Sequence, residues 1–587
     1  MNAPALKRSY GILVRQFRKY LLPTLVTTAA LSLNEFADSM LVSNLLGSQA
    51  MAVVNLGYPV MLLMTAIETL CGSGGSTCYA LLLGERKGEE AGKVLFLSLA
   101  AALLAGLALM AAGMLFPDRF AGLLCRDAAL LEAGFGLYLR VLVLSAPVLV
   151  AVLTMVSFLP SGGSPNLAMV LNLVANGVNI AMDWVYIRWF GMGVEGAAWA
   201  TLTGYLAGAL LLPFAFGKKS LLRVRPAGLA DLRLLGRALG KGAAAALSQL
   251  GFAVKFGACN ALAATCGGVP GVVALSLCIQ AFSIVAVFYG GAIGAAQPIL
   301  AFLHGQRDFS GRQHILKTAL ACGLSPVLLC VAWFEAAPGQ LAALYNITAP
   351  EELAAAVAGL RVFALCFAVR GFCIMFMYFL QTVGRDREAM NISLLDGFGI
   401  VPMAWLMCRA LGLAGLWWTY PLNAAVVFAC ILFWNRRLAA GSAGRYSGFL
   451  LAERDDDALE TCDFTMTGRP DADARTAGEI ADRLREKGMD PKRANLLHLA
   501  IEEIAVYNAT HQGRGEPVDV LVRIYHDRTE IDYRSLGDSC NPLQDGAADD
   551  LINVRILRGI AASLEYDYAL GMNSIHIVLE PPRKETP

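Results

Sequence analysis

Apolar stretches of about 20 residues, each long enough to cross a bilayer as a helix, recur from about residue 20 to 435. They fall near 20–43, 52–74, 92–115, 135–159, 166–188, 195–217, 242–265, 271–299, 315–336, 355–382, 389–410 and 413–435. Polar connections separate them, and the pattern predicts about twelve transmembrane helices. Beyond about 438 the periodicity changes. A small-residue and acidic stretch, "AAGSAGRYSGFLLAERDDDALE", reads as a linker over 438–460. Helical patterns follow in "TAGEIADRLREKG", "PKRANLLHLAIEEIAVYNATHQ" and "LINVRILRGIAASL", and alternating strand patterns in "PVDVLVRIYHD", "TEIDYRSLG" and "SIHIVLE". Strands interleaved with helices predict one α/β sandwich over 461–587.

Composition agrees with this division. Of 587 residues 57% are hydrophobic and only 16% charged, whereas a soluble chain carries about a quarter charged residues. The net charge of +1 excludes the basic field of a nucleic-acid binder. The fourteen Cys are scattered through apolar runs without CxxC pairs, which argues against a zinc site or a disulfide framework. The basic N-terminal arm, 1–19, lacks a short apolar run with a cleavage site and reads as no signal peptide. Lys and Arg cluster in this arm and in "GERKGEEAGK", "HGQRDFSGRQHILK", "GRDRE" and "NRRL", as well as in the connection 218–241. This asymmetry predicts a multi-pass protein of the cytoplasmic (inner) membrane with both termini cytoplasmic.

The apolar segments form two sets of six. "PSGGSPNLAMVLNL" is echoed by "QTVGRDREAMNISL", "GVEGAAWA" by "GLAGLWWT" and "QAMAVV" by "GVPGVV", each at an offset close to 220 residues. Internal repeats of this kind build many secondary transporters. An N-lobe over 20–217 and a C-lobe over 242–437 are therefore expected, joined by the basic connection 218–241.

Charge inside an apolar helix is costly and points to function. In "NGVNIAMDWVYI", Asn179 and Asp183 share a helix face, as do Asn34 and Asp38 in the first segment. Carboxylates with amide oxygens make an all-oxygen site suited to a hard cation. Desolvated and mutually repelling, the same carboxylates could carry a proton instead. The blander reading is interhelical hydrogen-bond glue, for which an Asp is an expensive choice where Ser would serve. Shifting by the repeat offset sets Ala258 opposite Asp38 and Met403 or Ala404 opposite Asp183, so the C-lobe copy lacks the acids. Glu35 and Glu68 either line a cavity or lie buried. Lys255, Arg361, Arg370 and Asp396 are expected to pair with one another; Lys255 or Arg370 in the cavity would favour anionic cargo instead.

Residues from about 15 to 437 resemble the multidrug and toxic compound extrusion (MATE) family. The likeness rests on "NEFADSMLVSNLLGSQAMAVVNLGYP" and on "NGVNIAMDWVYI…GMGVEGAAWATLTGY", separated matches in the right order. It implies two six-helix bundles that alternate between inward and outward openings. The implied activity is export of small organic, cationic or amphipathic compounds against Na⁺ or H⁺. It assigns Asp38, Asn179, Asp183 and Thr201 to cation coupling, with Asp38, Asn179 and Asp183 as the Na⁺ ligands if Na⁺ is the ion. No catalytic residues are expected; the chain reads as a transporter, not an enzyme. The alternatives are a lipid-linked oligosaccharide flippase of the same superfamily and a membrane sensor signalling through its tail.

The tail, about 461 to 581, resembles the ATP-binding domain of anti-sigma-factor serine kinases, the GHKL fold. "HLAIEEIAVYNATHQG" is similar to the helix that holds Mg²⁺ and phosphate, and "YRSLGDSCNPL" to the adenine loop. The resemblance places nucleotide contacts at Glu503, Asn508, Ser535, Gly537 and Asn541. Asn508 falls one residue late, rotated by about 100° on the helix. Ser535 stands where the family has Asp, and Asn553 where a lid glycine is expected. These departures count against ATP–Mg binding and kinase activity, and favour a regulatory module that contacts the transporter or another cytoplasmic protein.

Overall fold

The computed structural model describes residues 8–117, 119, 134–216, 222–345, 347–511, 515–543 and 552–580, with the side chains of Ser39, Ser48, Gln49, Met51, Ala52 and Asn55 left aside. The chain forms two compact units: Lys19–Gln306 with Ile315–Leu438, and Met1–Arg18 with Arg307–His314 and Ala439–Pro587. The boundaries between the units fall at 18/19, 306/307, 314/315 and 438/439. The grouping of the pieces differs, because the arm and the 307–314 connection belong with the tail.

The larger unit is all helix. The first half comprises α1 (Gly11–Leu46), α2 (Ser48–Glu68), α3 (Gly74–Gly84), α4 (Gly88–Leu115), α5 (Gly136–Ser161), α6 (Pro165–Trp184) and α7 (Glu195–Ala209). The second comprises α8 (Leu232–Gly305), α9 (Phe309–Ala336), α10 (Pro338–Leu344), α11 (Pro350–Ala364), α12 (Phe367–Thr382), α13 (Asp386–Gly397), α14 (Ile400–Leu411) and α15 (Leu413–Gly441). Among the described residues, every apolar segment read from the sequence is mostly helix, with turns inside 195–217, 355–382 and 389–410. Among the described residues nine helices are long and apolar enough to cross a membrane, and a tenth span arises if α11 and α12, bent by 47°, count as one. Two predicted spans, 242–265 and 271–299, are merged in α8 and separated only at Gly268, whose φ of 57° is open to glycine. The second half of the connection expected as a basic joint, from Leu232 on, is the first turns of α8.

The smaller unit carries a five-stranded antiparallel sheet in the order β3-β4-β5-β7-β6. A two-residue hairpin, β1 (Tyr446–Ser447) with β2 (Ala452–Glu453), precedes it. The sheet strands are β3 (Glu460–Met466), β4 (Val518–Ile524), β5 (Thr529–Leu536), β6 (Ser563–Ala569) and β7 (Met572–Leu579). Helices α16 (Pro470–Glu486), α17 (Pro491–His511) and α18 (Ile552–Ile560) complete it. Strand alternation sends Phe464, Met466, Val520, Val522, Ile531, Tyr533, Ile575 and Ile577 to one face. There they pack against Ile480, Leu484, Leu497, Ile501, Ile504, Val554 and Leu557 from the three helices. Two expectations need correction. The helix predicted over 551–564 stops at Ile560, and Ser563 already begins β6, whose Tyr566 packs against the core. The segment 438–460 is not a free linker, because Glu453 is buried and paired with Arg312 and Arg445.

Candidate functional site

Helix α6 owes its inner face to spacing. Asn172, Asn176, Asn179 and Asp183 recur at steps of four, three and four residues and are all buried, Asp183 completely. Helix α7 lies against α6 because its small residues permit it. A Cβ on Gly204 would meet the Ala175 carbonyl oxygen at 2.5 Å, and one on Gly208 would meet Leu171 at 3.1 Å. This close approach brings the Asn179 amide nitrogen 3.5 Å from Thr201 Oγ1, which itself donates to the Ala197 carbonyl at 3.0 Å.

Opposite this stripe, α1 brings Asp38 within hydrogen-bonding reach of Asp183. Both oxygens of Asp183, Oδ1 of Asp38, Oδ1 of Asn34 and the Asn176 amide nitrogen are buried without a hydrogen-bond partner among the described residues. Two acids facing each other without a donor are a configuration that burial penalises heavily. A shared proton or a bound monovalent cation relieves it. No group of three or more His, Cys, Asp or Glu that could hold a metal ion occurs among the described residues. The donors here are instead two carboxylates with neutral oxygens, a fit for Na⁺ as cargo. Tyr138 of α5 lies near both acids. Gly57 makes room for its ring, since a Cβ there would sit 2.5 Å from Tyr138 Cε1. Tyr138 and Asn176 were not among the residues singled out from the sequence. Asn176 belongs to the four-three-four spacing and was readable; a Tyr in an apolar helix carries no comparable signal.

The remaining candidates separate. Glu35 is exposed one turn before Asp38. Glu68 ends α2 at a π-helical turn, Thr69–Ser73, where Ser157 Oγ donates to it at 2.7 Å and Thr69 Oγ1 at 3.3 Å. Ser157 also lines a cavity of about 230 Å³, together with Thr24, Ser76, Thr77, Asn172 and Gln297. Lys255 and Arg370 do not present free charge to a cavity: both are buried, with Lys255 Nζ 2.8 Å and Arg370 Nε 3.3 Å from Asp396. The expected mutual pairing is what the structure contains, except that Arg361 is exposed on α11.

In the smaller unit, the five nucleotide candidates lie on α17 and on β5 with its following loop. The Glu503 carboxylate accepts a hydrogen bond from the Asn553 side chain at the start of α18. Asn508 is buried, and its amide nitrogen has no partner among the described residues. Tyr507 takes the position one residue earlier, stacking on His511 and approaching Cys540 Sγ at 3.2 Å. Ser535 is buried on β5 opposite Asn573. Gly537 has a φ of 143°, and Asn541 Oδ1 accepts from the Leu543 amide at 2.8 Å, a local turn. Residues 544–551, where a phosphate lid would be expected, lie outside the described residues.

The MatE family model matches residues 23–185, a segment that holds Asp38, Asn179 and Asp183 but stops short of Thr201. The chain is 24% identical over 387 residues to the multidrug export protein MepA of Staphylococcus aureus (strain MRSA252), covering 63% of this chain and 82% of that protein. It is 23% identical over 384 residues to MepA of Staphylococcus saprophyticus, with the same coverage. Among solved structures, a MATE in the straight conformation matches with a TM-score of 0.66 and 24% identity, covering 74% of this chain and 99% of that one. An outward-facing multidrug resistance MATE family transporter of the MOP superfamily matches with a TM-score of 0.66 and 22% identity, with the same coverage. The helical unit therefore has the polytopic membrane fold of MATE transporters. Members of that family are secondary transporters, not enzymes.

Proposed function

We propose that this chain is a MATE-type antiporter that exports small organic, cationic or amphipathic compounds across the cytoplasmic membrane in exchange for Na⁺ or H⁺. The observation that carries the reading is the Asp38–Asp183 pair, a half-buried and a fully buried acid in reach of each other, with buried oxygens that have no partner among the described residues. Such a pair gains a cation or a proton far more readily than it stays bare. Coupling then sits in the N-lobe alone, with Asn34, Asn179 and Thr201 supplying neutral oxygens and Tyr138 a nearby hydroxyl. The relatives named multidrug export proteins support organic cargo. The flippase alternative loses its main support, because Lys255 and Arg370 are spent on Asp396.

In this reading the tail is a regulatory module without kinase activity. Glu503, the acid expected at the metal, is engaged by Asn553. The test is efflux of ethidium from proteoliposomes under an imposed Na⁺ or H⁺ gradient. Gradient-driven efflux that disappears in Asp183→Asn supports the antiporter. Efflux indifferent to both gradients would remove it.

A further inference from the structure

The sheet of the smaller unit has a second face, and it is charged yet buried. Strand alternation puts Asp463, Thr465, Asp519, Arg523, Asp532, Arg534 and His576 there, opposite to the helix-covered core. Asp519, Arg523, Asp532, Arg534 and His576 are all at most 6% exposed, so something covers this face. Within the unit, the N-terminal arm and the 307–314 connection lie on part of it, at Asp463, Thr465, Asp519 and Arg534.

The join centres on Asp308. Its carboxylate caps the first turn of α9, accepting from the Gly311 amide at 2.8 Å. The same carboxylate receives Arg8 in a two-pronged contact, both bonds 2.9 Å, and Arg534 at 2.7 Å. Arg8 Nε reaches Asp519 at 2.9 Å, and Thr465 donates to the other Asp519 oxygen at 2.8 Å. Two guanidiniums thus balance two carboxylates. Asp463 makes a second bridge, accepting from Tyr10 at 3.2 Å and from Ser310 at 2.8 Å. Tyr10 stacks on His314 with ring centroids 4.4 Å apart. Burial pushes the Asp308 carboxyl up, but the guanidiniums of Arg8 and Arg534 outweigh it and hold it well below the usual carboxylate range.

Chain connectivity gives this join its meaning. Arg8 precedes α1, whose later turns are the first predicted span of the N-lobe. Asp308 lies between α8 and α9, both C-lobe helices in sequence. We propose that the charged face of the tail's sheet is a clamp whose ligands are the chain's own N-terminal arm and 307–314 connection, and that it restrains the parting of the two lobes on the cytoplasmic side. The proposal rests on the transporter reading for its consequence, because alternation requires the lobes to separate there. With Arg8 and Asp308 held in one buried cluster, inward opening must either break the cluster or be delayed by it. Breaking it strands charges away from water, which is costly.

The test uses the full chain in nanodiscs, with paramagnetic labels on unnatural amino acids at exposed Lys87 and Arg387, one in each lobe's basic connections. In the unaltered chain the longer-separation population should stay below about a tenth. In Asp308→Asn it should become the major one, and hydrogen exchange of amides 11–18 and 309–314 should rise at least about tenfold. Asp463→Asn, which removes only the second bridge, should move both readouts the same way and less, and it serves if Asp308→Asn fails to fold. Ethidium efflux per folded molecule should rise in both variants. Exchange that rises while the label separation stays fixed would overturn the clamp and leave a mere structural joint. Faster opening without ethidium efflux in any form, the unaltered chain included, counts against the transporter reading and not against the clamp.

Discussion

The two halves of the helical unit handle buried charge in opposite ways. In the N-lobe, Asp38 and Asp183 lie in reach of each other, and Asp38 Oδ1 and both Asp183 oxygens have no hydrogen-bond partner among the described residues. In the C-lobe, the Asp396 carboxylate is paired with both Lys255 and Arg370, one acid against two bases. A carboxylate paired in this way holds helices together and gains little from binding a further cation. An unmatched one is unstable until something joins it, which is what a coupling site requires. On the proposed reading, the two lobes divide coupling and helix pairing between them.

The largest expected effect falls on the unmatched side. Asp38→Asn and Asp183→Asn should each abolish gradient-driven transport, while thermal stability stays equal or rises because a costly buried charge is gone. Full transport in either variant would dissolve the contrast between the lobes. On the matched side the order reverses. Asp396→Asn should cost about 3–5 kcal/mol, because it leaves Lys255 and Arg370 buried without their acid. Transport per folded molecule should persist. Thermal-shift and efflux measurements on the same preparations separate stability from coupling, and a stable but transport-dead Asp396→Asn would place coupling in both lobes.

The clamp in the smaller unit extends the comparison to acid pH. In the folded state the Asp308 carboxyl titrates well below the ordinary carboxylate range, despite burial, because of Arg8 and Arg534. Its contribution is complete above the unfolded value of about 4 and is lost as pH falls toward the folded one. Exchange protection of amides 309–314 should hold from neutral pH to about 5 and decline below about 4. Asp308→Asn should flatten that decline; protection that instead fades between pH 8 and 6 would assign the join to another group. A smaller effect is expected at Gly204, where Gly204→Ala forces α6 and α7 apart at the Ala175 carbonyl, 2.5 Å from the added carbon. Overpacking of this kind costs about 1–3 kcal/mol, and it should weaken coupling through Asn179 and Thr201. Cation affinity measured alongside melting temperature distinguishes that from simple destabilisation.

Much of this was legible in the chain, and the reasons are physical. Twenty-residue apolar runs are coarse, strong signals, so each predicted segment is mostly helix among the described residues. Asn179 and Asp183 stood out because polarity inside such a run is rare. Pairing among Lys255, Arg361, Arg370 and Asp396 was expected because a lone charge in an apolar helix is costly; Arg361 is exposed and stands apart. Tyr138 was invisible because aromatic residues are ordinary in apolar helices. The clamp was hidden more deeply: Arg8 and Asp308 lie 300 positions apart, and Arg8 and Asp519 are separated by 511. In "VDVLVRI" and "IDYRSL" alternating charge reads as a solvated face, whereas Asp519 and Arg534 sit in register with each other and are covered. Segment 438–460 looked like a linker because its composition is that of one; only the partners of Glu453 and Asp455 reveal it as packed structure.

The smallest effect should come from nucleotide. An ATP site of the resembled fold needs a Glu and an Asn at the Mg²⁺–phosphate end, a carboxylate at the adenine and a glycine-hinged lid over the phosphates. In this chain Glu503 is taken by Asn553, Asn508 is buried, and Ser535 lies within the sheet opposite Asn573. A hydroxyl contact is worth about half a charge-assisted one. A metal without its acid leaves the triphosphate's charge unmatched. If the dissociation constant is no tighter than about 1 mM, then 1 mM ATP–Mg stabilises the chain by only about 0.4 kcal/mol, since stabilisation follows RT ln(1 + [L]/Kd). A micromolar site would instead contribute about 4 kcal/mol at the same concentration. Melting of the full chain with and without 1 mM ATP–Mg, about a tenfold difference in expected effect, decides between them. The comparison should be repeated in Asn553→Gly, which frees Glu503. A Mg²⁺-dependent rise only in that variant would show that a single side chain separates this module from a nucleotide-binding one. A large rise in the unaltered chain would make the tail an ATP sensor acting on the clamp.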